Sequence, residues 1–387
     1  MNILTKVIDQ DKYFEGIKSH KNVILYGAGN KARQTIELLK GRGVIPCDVC
    51  DGNKELWGQI FAQEYVIKSY QEIRETYRDY CIIVAATIRN ALEIVRVLDA
   101  GVPFYHVCSP FKIESGFLEK QDIEKNRNEY EAVFSVWPDE ESKRLYIENI
   151  NSRLCGNFME LHKLEDGNSF FDDKILRNRA DGVYVDVGAY TGDTLCRFLE
   201  YAGTYKKMIA VEADQENCEC LRRFVKYGRI RDAKVIQCGV WSEEKTMRFY
   251  TMRHKSDMSY DMSNFYRGTD EQADNRTLQK CAANMMEMVA EDMKMDTLDH
   301  LLEDERPTLM KINAMAADLP ILEGAERIIT RYCPDIILEY GVRPDYLIDE
   351  VKYLNSLGVG YRFYLRQKNI YGDTKTILYA IGSDENA

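Results

Sequence analysis

The residues best suited to chemistry lie in a glycine-containing loop that follows an apolar run in the second half of the chain. The loop reads Asp186-Val-Gly188-Ala-Tyr-Thr-Gly192-Asp193, and a helical pattern begins near Asp193. Gly188 has no Cβ and allows the backbone to approach a ligand, while the following helix offers free N–H groups. Glu212 ends the next apolar run, where a carboxylate can accept hydrogen bonds from both ribose hydroxyls. The sequence therefore predicts a nucleotide-like ligand at this edge of an open α/β sheet.

The charge of this loop favours S-adenosylmethionine over a dinucleotide. Asp186 and Asp193 would repel a pyrophosphate but tolerate a sulfonium and an ammonium group, and the loop lacks the phosphate-binding pattern Gly-x-Gly-x-x-Gly. A glycine turn in an inactive α/β domain is the alternative interpretation. The residues predicted to bind S-adenosylmethionine are Asp186, Gly188, Ala189, Tyr190, Thr191, Gly192, Asp193, Thr194, Glu212, Ala213, Gly239 and Val240.

Further short stretches follow one another in a defined order and spacing. They are Asp139-Glu-Glu-Ser142, Tyr184 to Thr194, Val211-Glu-Ala-Asp214 with Asn217 and Leu221, Met295-Asp-Thr-Leu-Asp299, Lys311-Ile-Asn313, Glu323-Gly-Ala-Glu326, Tyr364-Leu-Arg366 and Thr376-Ile-Leu-Tyr379. With these stretches the chain resembles the FkbM-type S-adenosylmethionine-dependent methyltransferases over roughly residues 130 to 382. The resemblance implies methyl transfer to a hydroxyl oxygen, often on a sugar or natural product. A small molecule or a glycan would then be the methyl acceptor.

The end of the predicted fourth strand departs from the family's pattern, which is Lys-Ile-Asp, a variable residue, then Glu-Gly-Ala-Glu. Here the run is Lys311-Ile-Asn313-Ala-Met315-Ala316-Ala-Asp318. Asn313 can form hydrogen bonds but cannot act as a base, and Met315 can do neither. Because this strand end should face the methyl donor, two interpretations stay open. The protein is either a methyltransferase with an altered site, or a methyltransferase-like module that binds a nucleotide or nucleotide-sugar without catalysis.

Methyl transfer to a hydroxyl requires alignment of the two reactants and a nearby base. The predicted catalytic residues are Asn313, Lys311 and His254, and Asp257 and Asp299 are further candidates. His254 has a suitable intrinsic pKa and is expected in the loop after the third strand, with a solvated surface residue as the alternative. Lys311 would need strong burial to be neutral, and a structural pairing with Asn313 or Glu339 is its alternative role. Asp299 is expected to cap or orient the segment before its helix.

A second glycine loop lies near the N-terminus. It reads Gly27-Ala-Gly29-Asn30-Lys31-Ala, between an apolar run and a helical pattern, and Asp51 ends the next predicted strand. The basic residues of this loop suit a phosphate, which predicts a possible nucleotide or nucleotide-sugar site at Gly27, Gly29, Asn30, Lys31 and Asp51. A domain used only for docking or oligomerisation is the alternative. An NAD-dependent oxidoreductase is a further hypothesis, although no Tyr-x-x-x-Lys or redox cysteine site accompanies the loop.

Strands alternate with helices on both sides of a charged, helical stretch, which predicts two parallel α/β sheets. The second set starts near 181 and ends in an antiparallel hairpin of 361–365 and 376–380, as in the seven-stranded sheet of class I methyltransferases. We therefore predict an α/β protein with a smaller Rossmann-like domain over 1–110, a helical connector over 111–175 and a Rossmann-like methyltransferase domain over 176–387.

The segment from about 252 to 296 is long and polar and contains eight of the 14 methionines. Long segments of this kind are often lids or binding loops, and Met adapts to irregular surfaces. A partly helical insertion that packs its own methionines is the alternative interpretation.

The composition restricts the partners. The formal net charge of −11 argues against nucleic acid and against an anionic membrane surface. The sequence contains no apolar run long enough for a membrane span and no secretory leader, so a cytoplasmic location is expected. The eleven cysteines, Cys47 and Cys50 included, suggest no disulfide framework, and the five His show no metal-ligand spacing, so no metal is predicted. A homodimer is possible.

Overall fold

The computed structural model describes residues 2–108, 117–177, 181–254, 268–269, 286–314 and 317–383, and for 250–254, 268–269 and 286–291 the backbone only. Contacts divide the chain into two units. The first unit comprises Met1–Glu131, Arg144–Asp166 and Asn369–Thr374, and the second Ala132–Lys143, Gly167–Lys368 and Lys375–Ala387. The domain boundaries at 110 and 175 stay predictions.

A six-stranded sheet forms the centre of the first unit. Its strands are β1 Val23–Tyr26, β2 Asp48–Cys50, β3 Ile60–Phe61, β4 Tyr65–Lys68, β5 Cys81–Val84 and β6 Phe104–His106. Their order is β3-β4-β2-β1-β5-β6, with β3 antiparallel to β4 and the other neighbours parallel. β1 and β5 are buried along their whole length, as expected for central strands covered on both faces.

Helices cover this sheet and continue into the segment predicted as a connector. They are α1 Gln10–Lys18, α2 Asn30–Gly41, α3 Tyr70–Thr76, α4 Ile88–Val97, α5 Lys120–Lys125, α6 Arg127–Val136, α7 Glu140–Cys155 and α8 Met159–His162. In α2 the predicted apolar face of Ala32, Ile36 and Leu39 is fully buried in the core. Cys47 is exposed and Cys50 is buried, and both are free thiols. The two sulfurs of this Cys-x-x-Cys therefore sit in different environments, in agreement with a structural role.

The second unit contains eleven described strands. They are β7 Val183–Val187, β8 Lys207–Glu212, β9 Ala233–Gln237, β10 Gly239–Val240, β11 Lys245–His254, β12 Gly268–Thr269, β13 Met286–Asp296, β14 Leu309–Ile312, β15 Asp335–Glu339, β16 Arg362–Ile370 and β17 Asp373–Ile381. Seven form one sheet in the order β16-β17-β15-β14-β7-β8-β9, in which β15, β14, β7, β8 and β9 are parallel to one another and β17 runs antiparallel to β15. The predicted seven-stranded Rossmann-like methyltransferase sheet is confirmed.

The helices of this unit follow the strands in alternation. They are α9 Asp193–Ala202, α10 Gln215–Tyr227, α11 Leu298–Leu301, α12 Asp318–Glu323, α13 Glu326–Tyr332 and α14 Asp349–Ser356, with a short 3-10 helix over Asp345–Leu347. Two further 3-10 helices, Ile3–Thr5 and Lys54–Leu56, belong to the first unit. α12 and α13 are separated at Gly324 and Ala325. A Cβ at Gly324 would lie 2.1 Å from the Trp241 carbonyl oxygen, so only glycine fits this close approach.

A second, four-stranded sheet contains the described residues of the methionine-rich segment, 252–254, 268–269 and 286–296, and has the order β10-β13-β11-β12. β11 and β13 pair antiparallel from Lys245 opposite Met295 to His254 opposite Met286. The predictions of a loop or a helical insertion are therefore wrong for 252–254 and 286–296, which are strands. His254 lies at the end of β11 and not in a loop, because its backbone pairs with a strand that the sequence places more than thirty residues further on.

Among the described residues, no helix combines the length and apolar character needed to cross a membrane.

Candidate functional site

The glycine loop after β7 turns against the neighbouring strand β14. Gly188 has a φ of +72°, and its N–H donates to the Val211 carbonyl oxygen at 2.9 Å. A Cβ at Gly188 would lie 2.2 Å from the Asn313 carbonyl oxygen. Position 188 therefore accepts only glycine, and the loop backbone is in direct contact with the end of β14.

Gly192 completes the turn and starts α9. Its φ is +100°, and a Cβ there would lie 2.7 Å from Cδ1 of Phe224. Tyr190, between the two glycines, also adopts a left-handed conformation with a φ of +50°. The predicted loop residues Ala189, Tyr190, Thr191, Asp193 and Thr194 thus form one tight turn that ends in the first turn of a ten-residue helix. Its free N–H groups point to the edge where the strands end.

Glu212 is held at the end of β8 by three donors. Its Oε2 accepts a hydrogen bond from the Tyr190 N–H at 2.8 Å, and its Oε1 accepts from the Asp214 N–H at 3.0 Å and from Asn217 Nδ2 at 3.3 Å. The residue is 8% exposed. The carboxylate is therefore fixed in place by the chain itself, and it joins the glycine loop to β8.

Asp186 and Lys311 form a buried ion pair beneath the loop. The two residues face each other in the β7–β14 ladder, and Lys311 Nζ lies 2.9 Å from Asp186 Oδ1 and 3.2 Å from the Gly188 carbonyl oxygen. The side chains are 0% and 3% exposed. Complete burial raises the pKa of Asp186 to about 6, and the Lys311 ammonium limits that rise.

This pairing changes two sequence-based interpretations. The expected structural partners of Lys311, Asn313 and Glu339, are wrong: the partner is Asp186, because register places the two on adjacent strands. Asp186 is fully buried, so its carboxylate is not exposed for direct contact with a ligand.

The end of β14 carries a polar cluster that faces β15 and β17. Asn313 Nδ2 lies 3.4 Å from Glu339 Oε2, and Lys375 on β17 forms an ion pair with the same carboxylate. Glu339 and Lys375 are 15% and 21% exposed at their side chains. From the sequence, Glu339 was considered only as a possible partner of Lys311, and Lys375 was not considered. The position of Glu339 at the end of a predicted strand was the signal that could have pointed to it. Met315 and Ala316 lie outside the described residues.

Two further carboxyl groups are buried behind this cluster. Asp318 stands in α12, where its Oδ1 accepts a hydrogen bond from the Ala314 N–H at 3.2 Å, and Glu350 stands in α14. Oδ2 of Asp318 and both carboxyl oxygens of Glu350 have no hydrogen-bond partner in the described part of the chain. Burial raises the pKa of Asp318 to about 7, and burial together with Asp318 raises that of Glu350 well above its ordinary value. The sequence assigned neither acid a role: Asp318 is the last residue of the strand-four run, and Glu350 lies in no motif.

The remaining predicted site residues are scattered. Ala213 follows β8, and Gly239 and Val240 form β10 opposite Met295 and Asp296. Asp299 accepts hydrogen bonds from the backbone N–H groups of residues 327 and 328, at 2.8 and 2.9 Å, and so caps α13. Asp257 and the side chain of His254 lie outside what the structure describes.

Three residues of types that can bind a metal ion lie close together, which the sequence did not predict. Glu244, Asp296 and His300 bring one ligand atom each within 4.8 Å of one another, and His300 Nδ1 lies 2.8 Å from Asp296 Oδ2. The group is largely exposed.

In the first unit the N-terminal glycine loop has a comparable local geometry. Gly27 has a φ of +119°, and its N–H donates to the Cys50 carbonyl oxygen at 2.8 Å. The Ala28 N–H donates to Asp51 Oδ2 at 2.8 Å, and α2 begins at Asn30. The structure thus brings the predicted loop and Asp51 together, while Gly29 has an ordinary φ of −85°.

Comparison with known proteins identifies the second unit. Residues 186–363 match the family model described as the methyltransferase FkbM domain. The chain is similar to the crystal structure of a methyltransferase FkbM from Methylobacillus flagellatus KT, with 16% identity, a TM-score of 0.65, and 97% of this chain and 94% of that chain covered. This likeness shows a shared fold. No protein of curated function is detectably similar in sequence.

Two other solved structures overlap only in part. A precorrin-6y C5,15-methyltransferase from Geobacter metallireducens GS-15 has 13% identity and a TM-score of 0.30, covering 58% of this chain and 86% of that chain. A SAM-dependent methyltransferase from Aquifex aeolicus has 14% identity and a TM-score of 0.30, covering 57% and 96%.

Proposed function

Residues 186–363 belong to the FkbM methyltransferase family, and from this premise we propose that the protein transfers a methyl group from S-adenosylmethionine to a hydroxyl oxygen. The acceptor we propose is a hydroxyl on a sugar, a glycan precursor or a natural product. The observation that carries the proposal is the fixed Glu212 carboxylate at the end of β8, joined to the glycine loop through the Tyr190 N–H.

The site residues fit S-adenosylmethionine in charge and in shape. The Glu212 carboxylate accepts hydrogen bonds from the ribose hydroxyls, and the Cβ-free Gly188 leaves room for a ligand beside the loop backbone. Lys311 holds the Gly188 carbonyl, so the loop needs little reorganisation on binding. When bound, S-adenosylmethionine supplies an electrophilic methyl group, and the chain's contribution is to align it with the acceptor.

The binding half of the proposal is tested by calorimetry with S-adenosylhomocysteine. We expect saturable binding by the protein and at least a tenfold loss of affinity in Glu212→Ala, because the variant lacks the ribose-binding carboxylate. Glu305→Ala serves as a control, since Glu305 pairs with Lys207 at the start of β8, away from the loop. No heat up to millimolar ligand, with the protein folded, would contradict the proposal.

The catalytic half separates an enzyme from a binding module. The amide Asn313, at a position where the family has an acid, favours the second candidate function, a methyltransferase-like module that holds a nucleotide or nucleotide-sugar without catalysis. Labelled methyl transfer to hexoses, free or linked to UDP, supports the enzyme. Binding of S-adenosylhomocysteine without transfer to any glycan or metabolite pool supports the module.

For the first unit we propose a nucleotide-sugar site at the loop of Gly27, Gly29, Asn30 and Lys31, with Asp51 beside it. The Ala28–Asp51 hydrogen bond supports it, because it places a carboxylate at the loop where a ribose would lie. Calorimetry with UDP-glucose on the full chain and on Asp51→Ala is the test, and equal heats from both would contradict the proposal. A homodimer and a cytoplasmic location stay predictions of the sequence.

A further inference from the structure

Glu339 is a partly exposed carboxylate close to the contact between the donor loop and β14. The Asn313 carbonyl oxygen lies so close to Gly188 that a Cβ there would be 2.2 Å away. The side-chain Nδ2 of Asn313 lies 3.4 Å from Glu339 Oε2. One residue therefore separates the loop from this carboxylate. Glu339 also ends β15, the strand next to β14, so it lies at the same edge of the sheet.

The surroundings of Glu339 hold it in a defined position without burying it. Asn313 donates a hydrogen bond to Oε2 of Glu339, and Lys375 forms an ion pair with the same oxygen. The Glu339 side chain is 15% exposed. In the described part of the chain both contacts are made at Oε2, which leaves Oε1 for an incoming hydroxyl. By contrast, Asp318 and Glu350 are completely buried and cannot meet an acceptor. Burial is the main cause of the raised pKa of both groups, and the negative charge of Glu339 adds to it.

We propose that Glu339 is the catalytic base for the acceptor hydroxyl, positioned by Asn313 and Lys375; this rests on the proposed function. In the step, the acceptor oxygen forms a bond to the methyl carbon. The carbon–sulfur bond breaks, and its electron pair stays on sulfur in neutral S-adenosylhomocysteine. The hydroxyl proton passes to Glu339 and then to solvent. Glu339 thereby supplies the carboxylate that position 313 lacks.

A binding experiment tests the location of this carboxylate without an identified acceptor. S-adenosylmethionine carries a sulfonium charge and S-adenosylhomocysteine does not, so a carboxylate beside the reacting methyl group stabilises only the first. We expect Glu339→Gln to weaken S-adenosylmethionine binding relative to S-adenosylhomocysteine by about fivefold. Glu305→Gln is the matched control, since Glu305 is also paired with a lysine and has a similarly small exposure. Its affinity ratio should equal that of the unaltered protein.

The outcomes separate the two proposals. If the unaltered protein binds neither ligand, the proposed function fails and the inference with it. If it binds both and Glu339→Gln leaves the affinity ratio unchanged, the inference alone is overturned.

A rate measurement follows with labelled donor and the panel of hexoses. Glu339→Gln should lower kcat by about 100-fold, as for loss of a general base, while the KM for the donor rises by no more than the roughly fivefold loss of donor affinity expected above; Glu339→Asp should retain part of the rate. A kcat within twofold of the unaltered protein would also overturn the inference. If none of the hexoses is methylated, the ratio of the S-adenosylmethionine and S-adenosylhomocysteine affinities is the test of the inference.

Discussion

The ion pair between Lys311 and Asp186 gives a sharp test of how the donor loop is held. Both side chains are almost fully buried, and the ammonium also donates to the Gly188 carbonyl. Lys311→Met keeps much of the side-chain volume but leaves Asp186 buried without its cation. Breaking a buried pair from one side costs about 3–5 kcal/mol of folding free energy.

The assay is urea unfolding followed by circular dichroism, with Lys207→Met as the control. Lys207 pairs with Glu305 at the surface, where such pairs contribute about 0–1 kcal/mol. We expect the Lys311→Met loss to be larger at pH 8 than at pH 5. Burial raises the pKa of Asp186, so without Lys311 the native state binds the proton more readily than the unfolded state. The penalty therefore grows as the pH rises and the carboxyl group must ionise.

A double variant distinguishes charge from packing. In Asp186→Asn/Lys311→Met the uncompensated charge is gone, so part of the stability should return. The reasoning is refuted if Lys311→Met costs no more than Lys207→Met. It is also refuted if the double variant is no more stable than Lys311→Met, because the loss would then come from packing and hydrogen bonds.

Three further predictions concern single residues. Gly188→Ala should abolish S-adenosylhomocysteine binding, measured by calorimetry, because its Cβ would lie 2.2 Å from the Asn313 oxygen; binding within threefold of the original would contradict this. Gly192→Ala should lower stability to urea by about 1–3 kcal/mol, from its positive φ and the Phe224 contact; an unchanged midpoint would contradict it. Burial lowers the pKa of His106 to about 4, so the native state stays neutral while the unfolded state takes up a proton as the pH falls below 6.5. Between pH 7 and pH 5 the unfolding free energy of the unaltered protein should therefore fall by about 2 kcal/mol more than that of His106→Gln. Equal losses in the two proteins would refute the prediction.

The fold was predictable where the signal is local. The seven-stranded sheet follows from apolar runs and helical patterns that alternate in the sequence, and the glycine loop follows from residue types that a tight turn requires. The pairing of β11 with β13 was not predictable in this way. Its partners are far apart in the chain, and the alternation of Met with charged residues in 286–288 and 293–296 changes phase between these two stretches.

The sequence predicted which positions lie at the site better than it predicted which side chains contact one another there. Glu212 was found because it ends a strand next to the glycine loop. The partner of Lys311 was not, since Asp186 becomes its neighbour only through the register of β7 and β14. Asp318 was seen in sequence only as the end of the strand-four run, and Glu350 was not singled out, because the raised pKa of both groups comes from burial between packed helices α12 and α14.

The amide at position 313 shows how such contacts alter a functional interpretation. In sequence, the loss of an acid at the end of the fourth strand argues against proton removal and therefore against catalysis. In the fold, the Asn313 side chain lies 3.4 Å from the carboxylate of Glu339, which projects from the next strand of the same edge. A reacting hydroxyl requires a base within reach, and that base can come from either strand. An acid missing from the motif is thus compatible with an active site whose base comes from β15, and Glu339→Gln, not a substitution at Asn313, is the variant that should lower transfer by about 100-fold.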